Sequence, residues 1–139
     1  MLQLMMMENT HPDRLMSRYS ILVVDDEENI VNIIRTILTN EGYEVSGASC
    51  FQEAIAIIAA ETVHLLISDQ GMPGRTGLEL IGEVREKFPG VITILMTGHS
   101  KVDFPLEVIE NAGIFSMIEK PFSKRDIIDT VRRALTKKD

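Results

Sequence analysis

Four short apolar runs in this 139-residue chain end in residues that could do chemistry. "ILVV" runs into Asp25 and Asp26, "HLLIS" into Asp69, "VITILM" into Thr97, and "FSMIE" into Lys120 and Pro121. If the runs are neighbouring strands, their ends bring three carboxylates, a hydroxyl and an ammonium together. Two carboxylates about 4 Å apart repel by roughly 4 kcal/mol at an effective dielectric of about 20, so such a cluster calls for a cation. An all-oxygen donor set with room for water suits Mg²⁺, with Mn²⁺ the alternative, whereas zinc would want His or Cys. Lys120 supplies a compact positive charge for an anion, phosphate first, and Thr97 can donate a hydrogen bond to the same group. Asp69 can then act as a nucleophile that takes a phosphoryl group as an acyl phosphate, with the cation and Lys120 stabilising the transferring oxygens.

The elements that must hold these residues follow from periodicity. From Ser20 onward, short β-branched or apolar runs alternate with helical stripes. Ile30, Ile33, Ile34, Ile37 and Leu38 recur at helical spacing, and Gly42 closes that helix. Phe51, Ala54, Ile55 and Ile58 mark a second helix, and Leu78, Ile81, Val84 and Phe88 a third that stops at Pro89-Gly90. A fourth helix is expected over 105–112, with Pro105 in its first turn. Ser123 and Asp126 form a capping-box pattern ahead of Ile127, Ile128, Val131 and Leu135. The loop after Asp69 carries Gly71, Pro73, Gly74 and Gly77. Strand followed by helix, repeated along the chain, predicts an α/β fold: a doubly wound, parallel five-stranded sheet between two helical layers, with right-handed crossovers. Ligands of such sheets bind beyond the carboxyl ends of the strands, where Asp25, Asp26, Asp69, Thr97 and Lys120 fall.

Composition narrows the function classes. The net charge is −7, which gives no global case for direct nucleic-acid binding or for an anionic membrane. The acidity is uneven: residues 1–100 hold 14 acids against 6 Lys and Arg, and residues 101–139 hold 7 against 8. A single cysteine, Cys50, rules out an internal disulfide and a cysteine zinc cluster, and fits a reducing compartment such as the cytoplasm. No apolar run approaches the roughly 18 residues of a membrane span. Residues 1–18 lack the basic n-region of a signal peptide and read as a flexible N-terminal extension to a domain over 19–138.

Together, "VVDDEEN", "SDQGMPGRTG", "LMTGH" and "EKPF" resemble the receiver domain of two-component response regulators, over roughly Ser20 to Thr136. The resemblance implies a flavodoxin-like (βα)5 fold and a phosphorylation-dependent switch rather than an enzyme acting on other molecules. Asp69 would be the phospho-acceptor, charged by a sensor histidine kinase, a phosphotransfer protein or a small phosphodonor. Asp25, Asp26, Asp69 and the backbone carbonyl of Gly71 would hold Mg²⁺. Thr97 would bond the phosphoryl group and shift on activation, Lys120 would pair with that group, and the Lys120–Pro121 peptide would be cis. The output domain or downstream protein lies outside this chain, and the face of the fourth helix, fifth strand and fifth helix would meet a partner, a second copy among them.

The chain departs from the family at several points. Met117 stands where the aromatic switch residue is usual, and Phe115 would share its face if the segment is a regular strand. Gly98 follows the threonine where alanine is common. Gly71 and His99 occupy positions that tune dephosphorylation in the family, and Gly71 would leave the attacking water unobstructed, giving a short-lived phosphoryl state. "SDQGMPGRTG", "LMTGH" and "NAGIFSMIEKPF" look closest to receivers fused to cyclic-di-GMP phosphodiesterase domains or to NtrC-like activators. Three rivals can be stated. A haloacid-dehalogenase-type phosphatase wants a second Asp where Gly71 stands. A degenerate, binding-only receiver would have lost residues that are intact here. Dinucleotide binding would need the G-x-G-x-x-G turn, absent after the first strand. The plainer readings suffice elsewhere: Glu27 and Glu28 as a helix start, Arg132-Arg133 as a solvated helix face, and His64, His99 and His11 as bystanders.

Overall fold

The computed structural model describes residues 19–98 and 106–138; residues 1–18, His99, Lys101 and Pro105 lie outside them. Five strands, β1 (Ser20–Val24), β2 (Glu44–Ala48), β3 (Leu65–Asp69), β4 (Ile92–Thr97) and β5 (Ser116–Glu119), alternate with five helices, α1 (Glu28–Asn40), α2 (Phe51–Ala60), α3 (Gly77–Lys87), α4 (Leu106–Ala112) and α5 (Lys124–Lys138). All strand pairs are parallel, in the order β2-β1-β3-β4-β5. The chain leaves β1 in one direction and resumes at β3 in the other. The order therefore reverses between β1 and β3, and a crevice opens beyond their carboxyl ends.

Strict alternation explains the unbroken apolar runs. Ile21 and Val23 of β1, Leu65 and Ile67 of β3, and Ile94 and Met96 of β4 face α1 and α5. Their neighbours Leu22, Val24, Leu66 and Leu95 face α2, α3 and α4. Each central strand thus feeds two cores at once, so nearly every position must be apolar. The helices show one stripe each: Val31, Ile34 and Leu38 from α1, and Ile127, Val131, Ala134 and Leu135 from α5, fill the same layer.

Helix ends follow local chemistry. Gly42, with φ of 100°, takes the left-handed turn that closes α1. Ser123 and Asp126 bond reciprocally, each backbone N–H donating to the other's side chain at 3.0 Å, and start α5. A second capping box, Thr76 with Glu79, starts α3. Arg132 reaches Glu41 at 3.1 Å and joins α5 to the end of α1.

One expectation fails. Phe115 and Met117 do not share a face: Phe115 packs against the α1/α5 core, whereas Met117 packs against the other. The ladder begins only at Ser116, after Gly113 has turned the chain at a φ of 71°, so strand parity does not extend back to Phe115. Its N–H instead donates to the Thr93 carbonyl at 2.8 Å.

Candidate functional site at the carboxyl ends of the strands

The site is built on β1, β3, β4 and β5. Asp25 follows β1, is fully buried, and donates its N–H to the Ala48 carbonyl of β2 at 3.1 Å. Its Oδ1 accepts from the Glu27 N–H at 2.9 Å, which turns the chain into α1. Asp26 is exposed beside it. Asp69 is the last residue of β3 and only 6% exposed. Asp69 pairs in register with Met96, which puts Thr97 one residue further along the next strand. Thr97 is buried, and its carbonyl accepts from the Lys120 N–H at 2.7 Å. The Lys120–Pro121 peptide is cis.

Lys120 unites the group. Its Nζ lies 2.9 Å from Asp25 Oδ2 and 3.0 Å from Asp69 Oδ1, with Glu27 Oε1 at 4.0 Å. One ammonium therefore serves two buried carboxylates that are 44 residues apart in sequence. Burial raises the Asp69 carboxyl above the ordinary range; the Lys120 hydrogen bond pulls the other way, and the charges of Asp25 and Asp26 push it up further. Burial works against the charged form of Lys120, but its bonds to Asp25 and Asp69 outweigh that and raise its pKa.

The donor set fits a hard divalent cation. One carboxylate oxygen each from Asp25, Asp26 and Asp69 lie within 4.8 Å of one another. These three residues, all oxygen donors with neither His nor Cys among them, would hold Mg²⁺, which would supply charge neutralisation for the clustered acids. A single lysine also leaves the three acids undercompensated, the condition that favours a second cation.

The loop after Asp69 is anchored at several points. The Gln70 N–H donates to the Met96 carbonyl at 2.9 Å, and the side chain of Met72 is buried. The Arg75 guanidinium stacks 3.9 Å from the Phe51 ring centroid, tying the loop to α2. A Cβ at Gly71 would meet nothing within 4 Å, so that position is open. Met117 lines a surface cleft of about 400 Å³ with Lys120, Pro121 and Thr130.

Two residues that hold the site escaped the reading of the sequence. Gly77 scans as one more loop glycine, yet it opens α3 against the backbone of Asp69. Gln70 lies inside the "SDQGMPGRTG" stretch but was given no role there, yet it bonds into both β4 and α3. A cue for Gly77 was its place at the start of a helix, behind the Thr76 N-cap.

The family profile for the response regulator receiver domain matches residues 21–132. The chain belongs to the response regulator receiver family. Among curated proteins, the hydrogenase transcriptional regulatory protein HoxA of Cupriavidus necator is 36% identical over 116 residues, 84% of this chain and 24% of that protein. The receiver spans about a quarter of the length of the curated relatives it matches. Among solved structures, a CheY-like receiver domain protein from Methanospirillum hungatei superposes with a TM-score of 0.81 at 32% identity, covering 88% of this chain and 97% of that one. The response regulator TrrA of Thermotoga maritima, solved with Mg²⁺ and BeF, gives a TM-score of 0.75 at 33% identity over 84% of this chain and 98% of that one. The receiver is thus a regulatory module of two-component signalling. No helix among its described residues is long and apolar enough to cross a membrane.

Proposed function

We propose that Asp69 is the phospho-acceptor of this receiver and that its phosphorylation, by a sensor histidine kinase, a phosphotransfer protein or a small phosphodonor, is the switching event. The observation that carries this reading is the pair of charged contacts that Lys120 Nζ makes with Asp25 and Asp69, at 2.9 and 3.0 Å, with Asp26 beside them. The nucleophile is nearly enclosed, and a cation is already aimed at it.

In the reaction, an Asp69 carboxylate oxygen attacks phosphorus in line. The bond from phosphorus to the donor's leaving atom breaks, and the leaving group departs with the electron pair. Lys120 then exchanges its bond to the carboxylate for one to a phosphoryl oxygen. Thr97, at the adjacent strand end, donates its hydroxyl to another. Asp25, Asp26, Asp69 and the Gly71 carbonyl would hold Mg²⁺, or Mn²⁺, which supplies charge neutralisation for the transferring oxygens. The raised pKa of Asp69 reflects a carboxylate kept uncomfortable in its ionised form.

The unit proposed for this chemistry is 19–138, with residues 1–18 as an extension. The role is regulatory: phosphorylation biases the face of α4, β5 and α5, which meets a partner, a second copy of the chain among them. The output is carried by another domain or protein. The test is intact mass after treatment with acetyl phosphate, with and without Mg²⁺, on wild type and Asp69→Asn. A Mg²⁺-dependent gain of one phosphoryl group, lost in the variant, is expected. Phosphoryl gain in Asp69→Asn, or none in wild type, overturns the assignment.

A further inference from the structure

The first turn of α3 is pressed onto the residue that the proposed reading makes the nucleophile. A Cβ built on Gly77 would collide with the carbonyl oxygen of Asp69 and lie 2.9 Å from its carbonyl carbon. The third neighbour, Leu95 Cδ1 at 2.9 Å, is a side-chain end that can move, but the other two are backbone. The same turn is bonded to the next residue along. The Gly77 N–H donates to the Gln70 carbonyl at 3.1 Å, and the Leu78 N–H donates to Gln70 Oε1 at 2.8 Å. Gln70 in turn donates its N–H to the Met96 carbonyl of β4 at 2.9 Å. The peptide that follows Asp69 is therefore held from β4 and from α3, with Gly77 in direct contact behind it.

We infer that Gly77 and Gln70 are positioning residues that clamp the Asp69 backbone and so set where its carboxylate meets Lys120, Asp25 and an incoming phosphoryl group. The inference rests on the reading of Asp69 as phospho-acceptor. The physical case is that reactivity is steep in position: a displacement of about 1 Å can cost about a hundredfold in rate. Adding one methyl group at Gly77 forces either the Asp69 carbonyl or the first turn of α3 to move by some part of that distance. Gly82 provides the control. It lies in the same helix, and a Cβ there would meet nothing within 4 Å.

The experiment uses the full chain and two readouts. The first is the backbone amide resonances of Asp69 and Gln70, which report the geometry without any phosphorylation. The second is the rate of phosphoryl gain against acetyl phosphate concentration at saturating Mg²⁺. Gly77→Ala is expected to shift both resonances and to lower the maximal rate about tenfold or more, leaving the donor concentration for half-maximal rate unchanged. Gly82→Ala is expected to alter neither. If Gly77→Ala does not fold, Gln70→Met decides. It removes the acceptor for Leu78 and should lower the maximal rate several-fold, whereas Gln70→Glu keeps an acceptor and should recover most of it. A folded Gly77→Ala or Gln70→Met protein whose Asp69 resonance is unmoved, or whose maximal rate is unchanged, overturns the clamp. A wild-type chain that gains no phosphoryl group overturns the reading of Asp69 instead, and the resonances then decide the clamp by themselves.

Discussion

The two ends of the sheet solve the same problem in opposite ways. At the amino end, the polar groups of Ser20 and His64 satisfy one another. His64 Nδ1 accepts from the Ser20 N–H at 2.9 Å, the His64 N–H donates to the Ser20 carbonyl at 2.8 Å, and the rings of Tyr19 and His64 meet edge to face at 5.2 Å. The Tyr19 carbonyl accepts from the Glu44 N–H, and that of His64 from the Ile92 N–H, so the amino ends of four strands are joined. At the carboxyl end, Asp25 and Asp69 are buried against a single lysine, with Asp26 at the rim. One end is arranged for stability. The other holds a surplus of negative charge, which costs stability and which, under the proposed function, a cation and a phosphoryl group would engage.

The largest break in this contrast should come from Lys120→Met. It removes the shared partner of two buried carboxylates, and breaking such a pair typically costs about 3–5 kcal/mol. Urea unfolding without divalent ions should show a loss near that size, and phosphoryl gain should fall sharply. A loss under about 1 kcal/mol would mean that the carboxylates are well solvated and that the contrast is overstated.

Asp69→Asn should act in the other direction. Because the folded-state pKa of Asp69 is raised, its favourable contribution is present in full below the ordinary value of 3.8 and is lost as pH rises through the raised value. Above that raised value, metal-free wild type therefore carries the disfavoured ionised form. The variant should be the more stable protein there, and its advantage should vanish on acidification below the ordinary carboxylate range. Mg²⁺ should reverse the order: at a hundred times its dissociation constant a ligand stabilises by about 2.7 kcal/mol, which the variant should largely lose. Thermal unfolding across pH, with and without MgCl₂, checks both halves.

The amino end should respond in stability alone. His64→Leu removes the acceptor for the Ser20 N–H and the contact with Tyr19, and should cost about 1–2 kcal/mol with the phosphorylation rate unchanged. Within β4, Thr93 is buried, and its hydroxyl has no hydrogen-bond partner among the described residues. Thr93→Val keeps the shape and removes the unsatisfied group, so it should raise stability by about 1 kcal/mol in denaturant unfolding. A change in phosphorylation rate in either variant would blur the division between the two ends.

The contrast itself was half legible in the residues. The apolar runs announce buried strands because each central strand feeds two cores, and the acids that end them stand out for the same reason. "DDEE" does not announce how it divides. Asp25 is fully buried and bonded to Lys120, while Asp26, Glu27 and Glu28 are exposed, and only the turn between β1 and α1 sorts them. The pairing of Lys120 with Asp25 spans 95 residues, so no local pattern carries it. Phe115 was misplaced because alternation counts only from the first ladder residue, Ser116. Gly77 looked like a turn residue because a missing side chain shows its meaning only when the neighbouring backbone is in place.

Gly71 offers the smallest stability effect and the sharpest separation of stability from chemistry. A Cβ there meets nothing within 4 Å, so Gly71→Phe, with its ring directed outward, should change unfolding free energy by no more than about 0.5 kcal/mol. Yet the position lies two residues past Asp69, where hydrolysis of an acyl phosphate needs a water with a clear approach. Wild type, with that approach open, should hold its phosphoryl group for minutes, and the ring should lengthen the half-life several-fold by crowding the water. Loss of the phosphoryl mass after removal of the donor measures both. A wild-type half-life of many hours, or equal half-lives in the two proteins, would mean that the water is excluded by something other than this residue, with the loop from Met72 to Arg75 the next place to look.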